Sequence, residues 1–261
     1  MKRNRIAVLF FLVSLLASCS KVDALFNNGE PVTEQRNLGQ RFEVVSMYNN
    51  VNVKLVQDNH LHLELTCPKN LIDKVKTEIV GDTLFIRNEN DFNWLRSYDY
   101  DIDLTVYYDS LSEVHFASNG WLRCTDPIRG IGAQYIDTTE YGIDTLWVRA
   151  FYLYINEGSG DIDLNLNCHM LKNVFNNGTS KVTLRGSAGY AEHYLRSYGV
   201  IHAEQLNSNL VSVSSQSTND LYVWARTVLT ARVYSIGNVY YKGNPWLVRE
   251  GDGEGQVIKL E

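Results

Sequence analysis

From Arg41 onward, apolar and polar side chains alternate. Val51, Val53 and Leu55 share one side of the alternation, with Asn52, Lys54 and Val56 on the other. Leu61, Leu63 and Leu65 interleave with His62, Glu64 and Thr66. A period of two marks strands with one buried face. Thr83 to Arg87 and Ile102 to Tyr108 carry the same pattern. Residues 69–80 differ. Leu71, Ile72, Val75 and Ile79 fall at helical spacing, Asn70 is placed to cap, and Gly81-Asp82 to terminate, which predicts one short helix.

The second half repeats a small turn residue followed by a strand. The turn positions are Gly120, Gly160, Ser180, Gly199, Asn219 and Gly237, with a looser copy at Gly142-Ile143-Asp144. They are separated by 22, 18, 20, 19, 20 and 18 residues. A second strand is expected before each turn, as at Leu153-Tyr154-Ile155, Val211-Ser212-Val213 and Val233-Tyr234-Ser235. Repeats of about 20 residues imply a solenoid. The helical half of a leucine-rich repeat is missing, so the expected fold is all-β. It is a right-handed parallel β-helix, with an N-terminal β meander and the short helix as its cap. Leu122, Ile162, Val182, Ile201, Leu221 and Val239 would then stack inside. A β-sandwich of evenly spaced hairpins is the alternative.

The amino terminus carries an address. Lys2, Arg3 and Arg5 precede an apolar run, Ile6 to Leu16, which is too short to span a bilayer as a helix. The tetrad Leu16-Ala17-Ser18-Cys19 that follows resembles the bacterial lipobox, whose cysteine is acylated and becomes the first residue of the mature chain. An ordinary secretory signal with an incidental cysteine is the alternative. Two or three acyl chains hold a protein stably on a membrane. The expected organisation is a lipoprotein signal at 1–18, a tether at 19–40 and one β domain at 41–261. Loss of the signal leaves 21 basic against 30 acidic side chains, a net charge of −9. Such a surface repels phosphate backbones and argues against nucleic-acid partners. Acylation of Cys19 leaves three other cysteines, Cys67, Cys124 and Cys168, with no metal-binding spacing. They are expected as buried small hydrophobes, or as one disulfide and one thiol.

The carboxyl end reads Ser235-Ile236-Gly237-Asn238-Val239-Tyr240-Tyr241-Lys242-Gly243-Asn244-Pro245, then Gly253-Glu254-Gly255. It resembles the closing signature of the putative auto-transporter adhesin, head GIN domain family. The amino half is similar to that family too, in Phe42-Glu43-Val44, Val51-Asn52-Val53-Lys54-Leu55 and Gly81-Asp82-Thr83-Leu84-Phe85-Ile86. The resemblance spans about residues 36–258. It implies an exported or lipid-anchored envelope protein, with no catalytic residues to carry over. The family's middle is usually rich in Ser-Gly turns, whereas this chain has Tyr, Trp and charged residues there.

Several clusters invite chemistry. Asp99, Asp101 and Asp103 would share a strand face, but Leu104 and Ser110 stand where an EF-hand loop needs Gly and Glu. His60, His62 and Glu64 share a face without a third fixed zinc ligand. Asp82-Thr83-Leu84 and Asp109-Ser110-Leu111 resemble a short O-glycosylation acceptor, as do Asp137-Thr138-Thr139 and Asp144-Thr145-Leu146. The outward columns of the coil weigh most. One carries Arg123, Asp163, Thr183, His202, Tyr222 and Tyr240. Its neighbour carries Asn165, Arg185, Glu204, Trp224 and Lys242. Aromatic rings beside hydrogen-bonding groups suit sugars or peptides; a solvated sheet face is the alternative. Asp163 and Glu204 would lie two rungs apart, about 10 Å, too far for a retaining glycosidase pair.

The expected function is therefore non-enzymatic, without cofactor or metal. It is adhesion to, or binding of, a glycan or protein by a lipid-anchored protein of the outer membrane, facing the periplasm or the cell surface. A structural or envelope-stress accessory role is the second expectation. A polysaccharide lyase or hydrolase is a weaker third.

Overall fold

A computed structural model describes residues 27–90, 100–139 and 142–261. The signal segment, Cys19 and Asp99 lie outside these. The chain is all-β. In order, the strands are β1 (Pro31–Asn37), β2 (Val44–Asn49), β3 (Asn52–Gln57), β4 (His62–Pro68), β5 (Val75–Val80) and β6 (Thr83–Asn88). Next come β7 (Asp103–Tyr108), β8 (Glu113–Ser118), β9 (Leu122–Cys124), β10 (Ile131–Thr139), β11 (Gly142–Gly158) and β12 (Ile162–Phe175). The last are β13 (Lys181–Leu195), β14 (Val200–Ser215), β15 (Leu221–Val233), β16 (Val239–Lys242), β17 (Trp246–Glu250) and β18 (Val257–Lys259). All belong to one mixed sheet that curls on itself.

The long strands β12 to β15 pair in parallel, each residue meeting one about 20 positions later: Ile162 with Val182, Val182 with Ile201, Ile201 with Leu221. They serve two ladders. The first half of each continues through β9, β3, β7, β4 and β1 on one side, and through β16 and β18 on the other. The second half of each continues through β11, β8, β2, β6 and β5, and through β17. The expected inner column, Leu122 to Val239, is buried throughout. A second inner column runs Phe151, Leu171, Ala191, Val211 and Leu229 before emerging as Leu247, 38% exposed at the last strand. Arg249 folds over that end, donating from Nη2 to the carbonyls of Gly253 (2.9 Å) and Gly255 (3.2 Å).

Three expectations change. The predicted helix at 69–80 is a single 3-10 turn, Ile72–Lys74, followed by β5. Val75, Thr77 and Ile79 also alternate, and pairing with β6 satisfies their backbone where a short isolated helix would not hold. Residues 31–37, expected in the tether, form β1 against β4. The looser repeat at Gly142 begins the second arm of an antiparallel hairpin, β10–β11, inserted between two rungs. With the β1–β4, β4–β7 and β5–β6 pairs also antiparallel, the sheet is mixed rather than purely parallel.

The repeated turn residues do stack at one corner. A Cβ on Gly160 would sit 1.7 Å from the Gly120 carbonyl oxygen, and one on Gly120 would sit 2.2 Å from that of Val51. Backbone lies directly on backbone there, which only glycine permits. Among the buried polar side chains, Asn173 and His193 are neighbours on adjacent strands, between Leu153 and Val213. Both are fully buried, and Asn173 Oδ1 and Nδ2 and His193 Nδ1 have no partner. Burial without a counter-charge lowers the His193 pKa from 6.5 to about 4. Cys67, Cys124 and Cys168 are free thiols.

Candidate functional site

Because successive rungs are in register, alternate residues of each strand form outward rows. Arg123 pairs with Asp163, Asp163 with Thr183, Thr183 with His202, His202 with Tyr222, and Tyr222 with Tyr240. The structure thus brings together the whole first column expected from the repeat. Its aromatic end is a stack. His202 and Tyr222 have centroids 4.8 Å apart at 7°, and Tyr222 and Tyr240 are 4.9 Å apart at 11°. Those separations match the strand spacing, so the sheet itself sets the stack. With a ring on each side, Tyr222 offers its edge and hydroxyl to solvent rather than its faces. Its pKa is raised, mainly by desolvation and then by the negative charges of nearby groups.

The second column is only partly assembled. Asn165 pairs with Arg185, and Trp224 with Lys242, whose ammonium stands 5.8 Å from the indole centroid. Glu204 leaves the row. A register shift makes Gln205 the partner of Arg185, and a second makes Asn207 the partner of Trp224. Extra residues in β14 cause this bulge, which re-aims the Glu204 side chain.

Beside Thr183 lies a depression of about 440 Å³, lined among others by Arg123, Asp163, Lys181, Arg185, His202 and Glu204. Arg185 Nη2 meets Asp163 Oδ2 at 2.7 Å, and His202 Nδ1 lies 3.4 Å from Glu204 Oε1. The other oxygens, Asp163 Oδ1 and Glu204 Oε2, are closed off from solvent and accept no hydrogen bond. Arg123 packs over Trp121 at 4.6 Å.

The other clusters are occupied in different ways. Asp101 and Asp103 accept from Asn52 Nδ2, at 3.3 and 2.9 Å. The His62 ring stacks on Tyr107 at 3.9 Å, and its Nδ1 lies 2.9 Å from the His60 carbonyl. Among the described residues, no group of three His, Cys, Asp or Glu side chains is placed to hold a metal ion. Thr83 and Ser110 donate to the preceding aspartates, both at 3.2 Å. The side chains of residues 137–139 and 144–146 lie outside the description.

A second outward face lies outside the columns expected from the repeat. There His115 stacks on Tyr154 (5.0 Å) and bonds Glu113, while Glu192 accepts from the Tyr194 hydroxyl (2.8 Å) with Lys172 4.0 Å away. The alternation of Tyr152 and Tyr154 with buried Phe151, Leu153 and Ile155 carried the signal.

The fold and its outward rows define an all-β module that presents an extended ladder face. Residues 41–245 match the model of the family described as putative auto-transporter adhesin, head GIN domain, and the chain belongs to that family. A crystal structure of a putative adhesin from Bacteroides fragilis is similar over 88% of this chain and 97% of that one, with a TM-score of 0.74 and 19% identity. A putative adhesin from Parabacteroides merdae (TM-score 0.62) and a putative lipid binding protein from Parabacteroides distasonis (0.61) are each 16% identical. Each of these two covers 90% of this chain and 98% of its own. At such identities the likeness shows the fold alone. No curated protein matches the chain by sequence. No helix among the described residues is long and apolar enough to cross a membrane.

Proposed function

We propose that this is a lipid-anchored, non-catalytic binding module of the cell envelope, which engages a glycan or protein along the row from Arg123 to Tyr240. The carrying observation is the register that aligns Arg123, Asp163, Thr183, His202, Tyr222 and Tyr240 on one face. Membership of an adhesin-type family supports the same assignment. We read the parallel core as a right-handed β-helix, supported by four successive parallel strands offset by about 20 residues. Ligand contact would run mainly through ring edges, hydroxyls and charged tips. Trp224 and Lys242 flank the row. Catalysis is disfavoured because Asp163 and Glu204 stand two strand spacings apart, about 10 Å, and each already contacts a basic side chain.

Two measurements test this. Labelled palmitate should enter the wild-type protein and not Cys19→Ala. Protease added to intact cells, with a periplasmic control intact, should remove the domain. Protection would place it in the periplasm and overturn surface adhesion in favour of an envelope-structural role. Cells carrying Tyr222→Ala with Tyr240→Ala should lose adhesion at unchanged surface level, and retained adhesion would overturn the assignment of this face.

A further inference from the structure

We infer that Asn177 is a site of spontaneous modification: its carboxamide loses ammonia to the backbone nitrogen of Gly178 and becomes aspartate or isoaspartate. The sequence holds three Asn-Gly pairs, Asn28-Gly29, Asn119-Gly120 and Asn177-Gly178. Glycine has no side chain to shield its own nitrogen from the preceding asparagine, so each pair is chemically competent. The reaction is intramolecular, and its rate depends on whether both groups are free to meet. The deprotonated glycine nitrogen attacks the asparagine Cγ. A new C–N bond forms as the bond to the amide nitrogen breaks, and solvent carries the glycine proton to the leaving nitrogen, which departs as ammonia. Water then opens the cyclic imide at either carbonyl, giving aspartate or isoaspartate. No oxidant or reductant takes part.

The fold separates the three pairs. The Gly29 N–H donates to Asn27 Oδ1 at 2.9 Å. The Gly120 N–H donates to Ser118 Oγ at 3.1 Å, and Asn119 Oδ1 accepts from the Ser159 hydroxyl, also at 3.1 Å. Both of these glycine nitrogens are tied down in the native chain. Asn177 is exposed in the turn between β12 and β13. Among the described residues no group hydrogen-bonds its side chain, and the Gly178 N–H has no acceptor. The turn is fastened just beyond that bond instead. The Thr179 N–H donates to the Gly158 carbonyl at 2.9 Å, and the Ser197 hydroxyl to the Gly178 carbonyl at 2.5 Å. Modification here would be felt by the stack. Gly178 has φ 118°, and a Cβ on it would sit 2.3 Å from the Gly158 carbonyl oxygen. Isoaspartate at 177 inserts a methylene into the main chain beside this close contact, and either product adds a negative charge one rung from Glu157.

The detergent-solubilised full chain would be held at mildly alkaline pH, sampled over days, and digested for mass spectrometry that resolves asparagine, aspartate and isoaspartate at each pair. A parallel sample in urea removes the fold. In the native chain Asn177 should convert at least about tenfold faster than Asn28 or Asn119, whose glycine nitrogens are released only by local opening. In urea the three rates should come together. Ser118→Ala frees the Gly120 nitrogen and should accelerate conversion of Asn119 while leaving Asn177 unchanged; the urea arm decides the question if this variant does not fold. Comparable native rates at the three pairs overturn the inference, and so does an equal preference for Asn177 in urea, which would place the cause in the local sequence. An Asn177 that stays intact in the native chain while converting in urea overturns it as well.

Discussion

Acidification should loosen this protein through one interior side chain. His193 is fully buried on an inward position of β13, with Leu153 and Asn173 on the preceding rungs and Val213 on the next. No Asp, Glu, Lys or Arg is buried among the described residues, so the interior holds no counter-charge for an imidazolium. Its pKa falls from 6.5 to about 4 for that reason. Between those values the unfolded chain takes up a proton that the native chain refuses. Stability is therefore intact above pH 6.5 and declines as pH drops toward 4, by up to about 1.4 kcal/mol per unit. Over the whole window the loss is about 3 kcal/mol, a large share of the 5–15 kcal/mol typical of folded domains. Urea unfolding at pH 7.5, 5.5 and 4.5 would measure it, with His193→Leu as the comparison. Leucine matches its apolar neighbours and binds no proton, so its stability should fall less steeply. The gap between wild type and variant should shift by about 2.5 kcal/mol from pH 7.5 to 4.5. Parallel pH dependences would refute the reasoning, because they would mean that His193 takes its proton equally well when folded.

Other outcomes follow from packing and burial. Gly160→Ala should cost about 3 kcal/mol and lower the melting temperature by several degrees, since its Cβ would meet the Gly120 carbonyl oxygen at 1.7 Å; an unchanged melt would mean that the corner backbone yields freely. Cys67 and Cys168, whose thiols burial pushes up to about 11 and about 12, should resist iodoacetamide at pH 8 in the native state and react in urea, as read by mass spectrometry. Arg249→Ala should remove two bonds across the last turn, and amide exchange around residues 253–255 should quicken while β12 to β14 stay protected.

The inner column was legible because its residues sit at every second position behind a repeated small turn, and register then follows from the repeat. The same logic placed the outward row from Arg123 to Tyr240. It failed where two periods coincide: Val75 and Ile79 fit a helix, yet Val75, Thr77 and Ile79 also fit a strand, and the partner β6 decides. Gly142 mimicked a rung because a hairpin of nearly one repeat length was inserted there. The bulge that displaces Glu204 has no marker in Ala203-Glu204-Gln205-Leu206, since no glycine or proline announces it. Asn173 and His193 stand at inward positions, where polar residues break the alternation without ending the strand.

The first ladder also works as a measure of height. It begins at Gln35 on β1 and ends at Ile258 on β18, ten strand spacings later, about 48 Å. The chain is already pinned at Asn27, whose carbonyl accepts from Asn70 Nδ2 at 2.8 Å. Cys19 lies eight positions earlier, at most about 28 Å of extended chain. Under the proposed anchoring, the protein is a short mast footed at β1, and the row from Arg123 to Tyr240 occupies its upper part. Each added or deleted rung would raise or lower the β18 end by one strand spacing while leaving the footing untouched.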